Sequence, residues 1–428
     1  MKRVLTLFAG LLLAVSFMSS AYAGAIDNKT NWSAEYIRTL NRNAATDFAD
    51  IAAYNPAGTV KLHEGLTING SVQYLKKNYK NTIAGTDFKS DEPSYVPGLF
   101  AVYNKDRWAL FGSVTVVGGG GKVDFSDGNW TTMQAYGYVA NYGSYAPNTL
   151  NPPSMDLTGE SFYLGYTVGT AFKLNDMFSF SMGLRYVNAH KEAEGSINYS
   201  SATLPGPVEI KYEQDGDGWG GIFGVNFTPN DKLNIGLRYE TETDINLKNK
   251  VKKDTTESFP NFAPPWTQPP YPPLLIALGV IDDTLTPRNL PATFAIGASY
   301  WLTPQLRVEA DCTYYFNKNA DWGGAENDVD NGYDLGIALE YHFNESLLAS
   351  IGYLHTVLGV DPKDMLPENP DLDANTIGAG IAYAFNENFS TNISIGNSFY
   401  VDDSYTAPPK VEFEKNVFFL AMGFEYRF

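Results

Sequence analysis

The chain has 428 residues, 14% of them aromatic, with 39 Gly, one Cys and a formal net charge of −18. A single cysteine, Cys312, excludes a disulfide framework, and so acidic a chain lacks the clustered Lys and Arg that nucleic-acid phosphates require. Mean hydropathy is −0.23, and no stretch after Met18 is long and apolar enough for a spanning helix, so any passage through a membrane falls to strands.

Lys2 and Arg3 open the chain, an apolar run follows from Val4 to Met18, and Ala21-Tyr22-Ala23 precedes Gly24. This is the pattern of a secretory signal peptide over residues 1–23, cut after Ala23, with a cut after Ala25 as the runner-up. No cysteine follows the cut, which argues against a lipoprotein. The mature chain then begins at Gly24 and is more acidic still, because the two basic residues are lost.

Residues 24–64 read differently from everything after them. Ser33 to Leu40 has helix formers, with Tyr36, Ile37 and Leu40 on one face. Thr46 to Tyr54 predicts a second short helix, with Thr46 as its cap and Asp47 and Asp50 in its first turn. Pro56 ends it, because the residue before a proline is pushed out of the helical region. The segment is expected to be a plug inside a wall; an ordinary helical cap on a soluble β protein is the alternative.

From Gly65 to Phe428 the chain alternates. Even positions from Phe418 to Phe428 are apolar or aromatic, and similar faces recur at Phe178/Phe180/Met182/Leu184, Leu335/Ile337/Leu339/Tyr341 and Ile377/Ala379/Ile381/Tyr383. The opposite faces carry Arg185, Arg238, Arg307, Glu309, Asp311 and Glu340. Alternation alone suits a soluble sandwich as well as a membrane barrel. The connections separate the two. Six are very short, at Asn104-Lys105-Asp106, Asn175-Asp176, Asn230-Asp231, Thr303-Pro304, Asn344-Glu345 and Asn386-Glu387; seven longer ones lie between them. Strict short/long alternation is the mark of a transmembrane barrel with periplasmic turns and external loops. The fold expected is therefore an all-β, fourteen-stranded antiparallel barrel over residues 65–428, with the plug in its lumen. A terminal Phe428 on an amphipathic last strand resembles the signal read by outer-membrane assembly machinery.

Asn55-Pro56-Ala57-Gly58, placed after a helical plug and before the first strand, resembles the Asn-Pro-Ala motif of the FadL/TodX family of outer-membrane transporters for fatty acids and other hydrophobic compounds. Leu290-Pro291-Ala292-Thr293-Phe294, opening the eighth strand, adds to the likeness. The resemblance implies passive uptake: a ligand is caught among external loops, passed to the plug's N-terminal end at Gly24, and released sideways where the third strand kinks inward. Gly118, Gly119, Gly120 and Gly121 are the candidate kink, since a strand without side chains can bulge there; a flexible loop start is the alternative. Phe259, Phe262, Trp266, Tyr271, Leu274, Leu275, Ile276 and Leu278, in a proline-rich loop, are the candidate groove, or else pack on each other as a lid.

The family's ligand-holding basic residues have no match here residue by residue. Arg185, Arg238 and Arg307 read better as an internal ion-pair ladder with the neighbouring acids. His63, His190, His342 and His355 sit in no motif with a serine, so catalysis is not expected, and nothing suggests a cofactor, a metal site or nucleic acid as a partner. The partners expected are a hydrophobic small molecule, outer-membrane lipid and lipopolysaccharide, and the assembly machinery, with the protein as a monomer in the Gram-negative outer membrane. A diffusion porin or a surface adhesin is the rival function.

Overall fold

The computed structural model describes residues 30–142, 154–198, 206–259, 272–406 and 410–428. The signal peptide, Gly24, Phe262, Trp266 and Tyr271 lie outside the described residues.

The short turns fold as their residues dictate. The side-chain oxygens of Asn175, Asn230, Asn344 and Asn386 each accept two backbone N–H groups from the next residues, at 2.8–3.1 Å. Thr303 Oγ1 does the same for Gln305 and Leu306. Each hairpin is thus closed by local chemistry before any distant contact forms. At the first turn Asp106 takes the left-handed conformation, with φ 55°.

These hairpins join fourteen wall strands: β1 (Gly65–Ile83), β2 (Pro93–Lys105), β3 (Trp108–Phe125), β4 (Ser154–Lys173), β5 (Phe178–Asn198), β6 (Val208–Asn230), β7 (Leu233–Glu240), β8 (Thr293–Trp301), β9 (Leu306–Tyr315), β10 (Gly332–His342), β11 (Leu347–Val357), β12 (Ala374–Ala384), β13 (Phe389–Tyr400) and β14 (Val411–Arg427). Four shorter strands, Thr86–Ser90, Asn246–Asp254, Leu285–Pro287 and Asp403–Tyr405, extend the rim on the long-loop side. All neighbours are antiparallel. β1 pairs with β14 from Thr67↔Arg427 to Ile83↔Val411, which closes the wall and leaves no sheet edge. β4, β5 and β6 run for 20, 21 and 23 residues, about twice what a tilted strand needs to cross the bilayer core, so they stand well proud of it.

The apolar faces read from the sequence point outward. Val168, Leu184, Ile337, Ile351 and Leu420 are exposed, a density of apolar surface that only lipid would cover. Near the short turns aromatic rings pair on this face, Tyr341 with Phe343, Tyr383 with Phe385 and Tyr426 with Phe428, forming an interfacial girdle.

The plug fills the bore. α1 (Ala34–Thr39) is capped by Ser33, whose Oγ accepts from Tyr36 N at 3.0 Å, and stops at Leu40 in the left-handed conformation. α2 (Ile51–Tyr54) and a 3₁₀ turn (Pro56–Lys61) follow. The helix expected from Thr46 is shorter than its sequence implied. Asp50 bonds Arg42 and makes no side-chain cap, and Asp47 divides itself between Arg42 and the amide of Phe48, so residues 47–50 form bends and turns and only 51–54 are helical. Among the long loops, α3 (Trp130–Tyr142) packs near α4 (Leu274–Ala277), where Tyr138 donates to Pro272 O at 2.7 Å.

Candidate functional site

Glycines in the wall determine where the plug can lie. From Trp32 to Asn43 its backbone runs against Gly98 on β2, Gly378 on β12, Gly352 on β11 and Gly236 on β7. A Cβ there would stand 2.2, 2.1, 1.8 and 1.9 Å from the carbonyl oxygens of Trp32, Ile37, Thr39 and Asn43. Backbone therefore touches wall with no side chain between, and the plug is held by contour as well as by bonds.

The bonds are mostly charged. Arg38 pairs with Glu340 on β10 and donates to Ser350 Oγ at 2.9 Å. Arg307 on β9 reaches both Glu340 at 3.1 Å and the plug's Asp47 at 3.0 Å. Arg42 is clasped within the plug by Asp50 and Asp47 at 2.5 and 2.7 Å. The amides of Arg42 and Asn43 both donate to Asp311 Oδ2 at 2.8 Å. Arg185 and Arg238 share Glu240 at 2.6 and 3.1 Å. The inward-facing ladder read from strand parity is thus present, with the plug as one of its rails. Arg38, Arg42 and Glu35 were not singled out in the sequence: Arg38 meets Glu340 and Glu35 meets Asn392 across more than 300 residues, and the Arg42 partners Asp47 and Asp50 read instead as first-turn acids.

Buried charge shapes the plug's acids. Burial pushes the Glu35 carboxyl up to about 8, and Asp50 nearby adds to the rise. Glu35 Oε1 accepts from Asn69 and Asn392 at 2.8 and 2.9 Å. Burial also works to raise Asp47, but Arg42 and Arg307 outweigh it and hold that carboxyl well below the usual range.

Asn55-Pro56-Ala57-Gly58 anchors the plug's far end. Asn55 Nδ2 donates to Ala45 O at 3.0 Å and to Asn226 Oδ1 on β6 at 2.8 Å. Ala57 O accepts from Ser179 Oγ on β5 at 2.6 Å. Pro56 opens the 3₁₀ turn, and a Cβ on Gly58 would meet Asn55 Nδ2 at 2.6 Å.

β3 departs from the wall at the glycine run. Its ladder with β2 ends at Gly98↔Thr115, and among the described residues no pairing with β2 follows. On the β4 side the register slips twice, between Val116 and Gly118 and between Gly118 and Gly121. Gly119 and Gly121 take φ 92° and 70°, which favours glycine. Alternation of burial fails here as well, since Thr115 to Gly119 are all buried in sequence. From Val116 to Gly119 the strand therefore keeps neither the β2 ladder nor the alternating burial of the rest of the wall.

Trp32, near the start of the described part of the plug, meets this stretch of β3. Trp32 Nε1 donates to Val116 O at 3.0 Å, and Trp32 O lies against Gly98. Behind it Trp32, Tyr54 and Tyr36 stack, with centroids 5.0 and 5.4 Å apart, and Arg238 sits over the Trp32 ring. The cavity beside them, lined by Tyr36, Tyr54, Arg238, Asp311 and Leu354, has room for about one water.

The loop residues expected to form a groove are, where described, largely packed. Phe259, Leu274, Leu275 and Leu278 are buried with Tyr138 and Val139 of α3, and only Ile276 is exposed. Their apolar surface is shared between loops and not open to solvent. Among the described residues, no group of three or more His, Cys, Asp and Glu is placed to hold a metal.

Together these features define an outer-membrane transport barrel: a closed fourteen-stranded wall, a bore filled by an N-terminal plug, and one strand whose pairing breaks at a run of glycines. The sequence profile of the family described as outer membrane protein transport protein (OMPP1/FadL/TodX) matches residues 14–428, and the chain belongs to that family. Its place is the Gram-negative outer membrane. No curated protein sequence matches it. Among solved structures it is similar to a Pseudomonas aeruginosa FadL homologue, with a TM-score of 0.71 at 14% identity over 94% of this chain and 100% of that one. It is also similar to the Pseudomonas putida toluene transporter TodX, at 0.64 and 14% over 91% and 97% of the two chains. The Ralstonia pickettii toluene transporter TbuX follows at 0.59 and 14%, over 90% and 95%. At such identities the likeness is one of fold.

Proposed function

We propose that this protein is a passive channel for hydrophobic small molecules, which enter among the external loops, displace the plug's N-terminal end and leave sideways beside β3. The observation that carries the route is the break itself: β3 loses β2 at Thr115, slips register over the glycines, and has Trp32 of the plug bonded at its foot. Entry would part α3 from α4, whose shared apolar residues offer a guest a dry surface once separated.

Monoaromatic hydrocarbons fit the interior better than long-chain fatty acids. Each lumen arginine described above is already paired with a carboxylate, so an anionic headgroup would have to break a buried ion pair to be held by any of them. The toluene transporters among its structural relatives agree with that choice. Because β1 and β14 close the wall within one chain, a monomer suffices, in contact with lipid and lipopolysaccharide. Phe428, exposed at the end of β14, is available to the assembly machinery. Transport is down a gradient.

The test is uptake of labelled toluene, beside a labelled long-chain fatty acid, by cells that lack their own hydrophobic transporters and express this chain. Replacing Gly118 to Gly121 by alternating Val and Thr straightens the wall. Toluene uptake that disappears in this variant is the expected result. An assembled barrel that takes up neither compound, or a straightened wall that transports as before, overturns the reading; steady ion conduction would favour a porin.

A further inference from the structure

The gap between β2 and β3 is crossed by the side chain of Lys77, which belongs to neither strand. Lys77 sits on β1, opposite Val417 of β14 and one residue beyond Lys76↔Pro93, the last pair that β1 makes with β2. Its side chain faces the lumen and is 4% exposed. From there it reaches past the start of β2, which pairs with β1 but not with β3, and its ammonium donates to Gly120 O at 3.2 Å and to Lys122 O. Gly120 belongs to the bulge, where the register with β4 runs from Tyr163 opposite Gly118 to Ser161 opposite Gly121 and skips Gly119 and Gly120; Lys122, opposite Glu160, lies just past it.

The margins of the gap have their own ties. Below, Gly98 pairs with Thr115. Above, Asp124 N donates to Ser90 Oγ at 2.9 Å, and Lys122 Nζ lies 3.9 Å from Glu92. Between these margins Lys77 ties β3 to β1 across the gap, while the β4 side of β3 keeps its own ladder. Gly121 makes the approach possible, since a Cβ there would meet Ser94 Oγ at 2.5 Å and Lys77 Nζ at 3.3 Å.

We infer that Lys77 is the latch of the lateral opening: a positioning residue whose ammonium holds the bend of β3 closed and must release it before a ligand leaves. This rests on the lateral route proposed above. Charge-assisted hydrogen bonds to carbonyls are strong yet reversible, which suits a tie that opens and recloses. In the closed position the ammonium also lies 5.7 Å from the Tyr79 ring, which Lys415 covers at 4.8 Å. Apolar cargo gains nothing from contact with an ammonium, so withdrawal of Lys77 from the two carbonyls clears the opening for it.

The experiment compares wild type with Lys77→Met and Lys77→Arg, in the full-length barrel, by amide hydrogen exchange and by toluene uptake per assembled barrel. Methionine keeps the apolar stem and removes the donors; arginine restores them. The expected result is about tenfold faster exchange over residues 118–123 in Lys77→Met, with uptake raised several-fold and both returned toward wild type in Lys77→Arg. Exchange unchanged over 118–123 in Lys77→Met overturns the latch, whatever the uptake. Absence of uptake by wild type would instead count against the transport reading, and the exchange data would still decide the role of Lys77. If Lys77→Met fails to assemble, Lys77→Gln, too short to reach both carbonyls, is read by the same criteria.

Discussion

The indole nitrogen of Trp32 bonds the carbonyl of Val116 at 3.0 Å, joining the plug to the wall at the point where β3 stops pairing with β2. The wall cannot use that carbonyl for a ladder with β2, so it is satisfied from inside the barrel. Trp32→Phe keeps an aromatic ring for the stack with Tyr54 and removes the donor. The expected cost is about 1 kcal/mol, seen as several-fold faster amide exchange at residues 31–36 and faster toluene uptake. Uptake and exchange both unchanged would mean that this bond does not restrain the plug.

A second prediction uses the absence of a side chain. A Cβ on Gly352 would stand 1.8 Å from Thr39 O, closer than any real contact, and both groups are backbone. The wall strand is fixed by ladders on both sides, to β10 and β12, so the plug is what must yield. Gly352→Ala should leave the barrel assembled, by its heat-modifiable gel mobility, but make it conduct steadily in a planar bilayer. Gly70→Ala, where a Cβ meets nothing within 4 Å, is the control and should stay silent. A silent Gly352→Ala barrel would show that the plug accommodates the methyl without moving.

The plug's anchor predicts a loss of stability. Asn55→Ala removes the donor to Ala45 O and Asn226 Oδ1 in a fully buried setting, at a cost of about 1–3 kcal/mol. The loss should appear as faster protease cleavage within 45–62 at unchanged barrel mobility. Asn55→Asp should be worse, since it sets a carboxylate oxygen against two acceptors. Equal cleavage rates in the two variants would count against this account.

How legible all this was depends on how far apart the partners lie. Turns such as Asn344-Glu345 were readable because an Asn side chain and the two amides it accepts sit within three residues. Strand faces followed from parity, and the lumen side of Arg307 and Glu340 came with them. What stayed hidden was the plug's share of the ladder. Arg38 meets Glu340 across 302 residues of sequence, and pattern alone does not say at what height the plug sits in the bore. The same ignorance produced the helix expected at Thr46, since Asp47 and Asp50 look like first-turn acids until Arg42 is seen between them. Gly98, Gly236, Gly352 and Gly378 were hidden for another reason: a glycine carries no sign of the face it serves. Gly118 to Gly121 were visible because four in a row leave no pattern to follow.

Glu35 supplies a pH dependence with a definite sign. Its carboxyl is fully buried on α1, is held neutral up to about pH 8 by burial and by nearby Asp50, and accepts from Asn69 and Asn392. In a displaced plug it would titrate as an ordinary glutamic acid. Between the ordinary carboxylate range and pH 8 the displaced state therefore binds fewer protons than the seated one, so seating weakens as pH rises through that window and levels off above it. Burial raises Asp50 too, in the same direction; Asp47, held low by Arg42 and Arg307, stays ionised throughout and adds nothing to the slope. Amide exchange of residues 33–40, corrected for intrinsic rate, should accordingly speed up from pH 5 to pH 8. Glu35→Gln keeps the acceptor for Asn69 and Asn392 but has no proton to lose, so it should flatten Glu35's part of the slope and hold the plug more tightly at pH 8. A slope as steep in Glu35→Gln as in wild type would assign the pH response to Asp50 or to the wall.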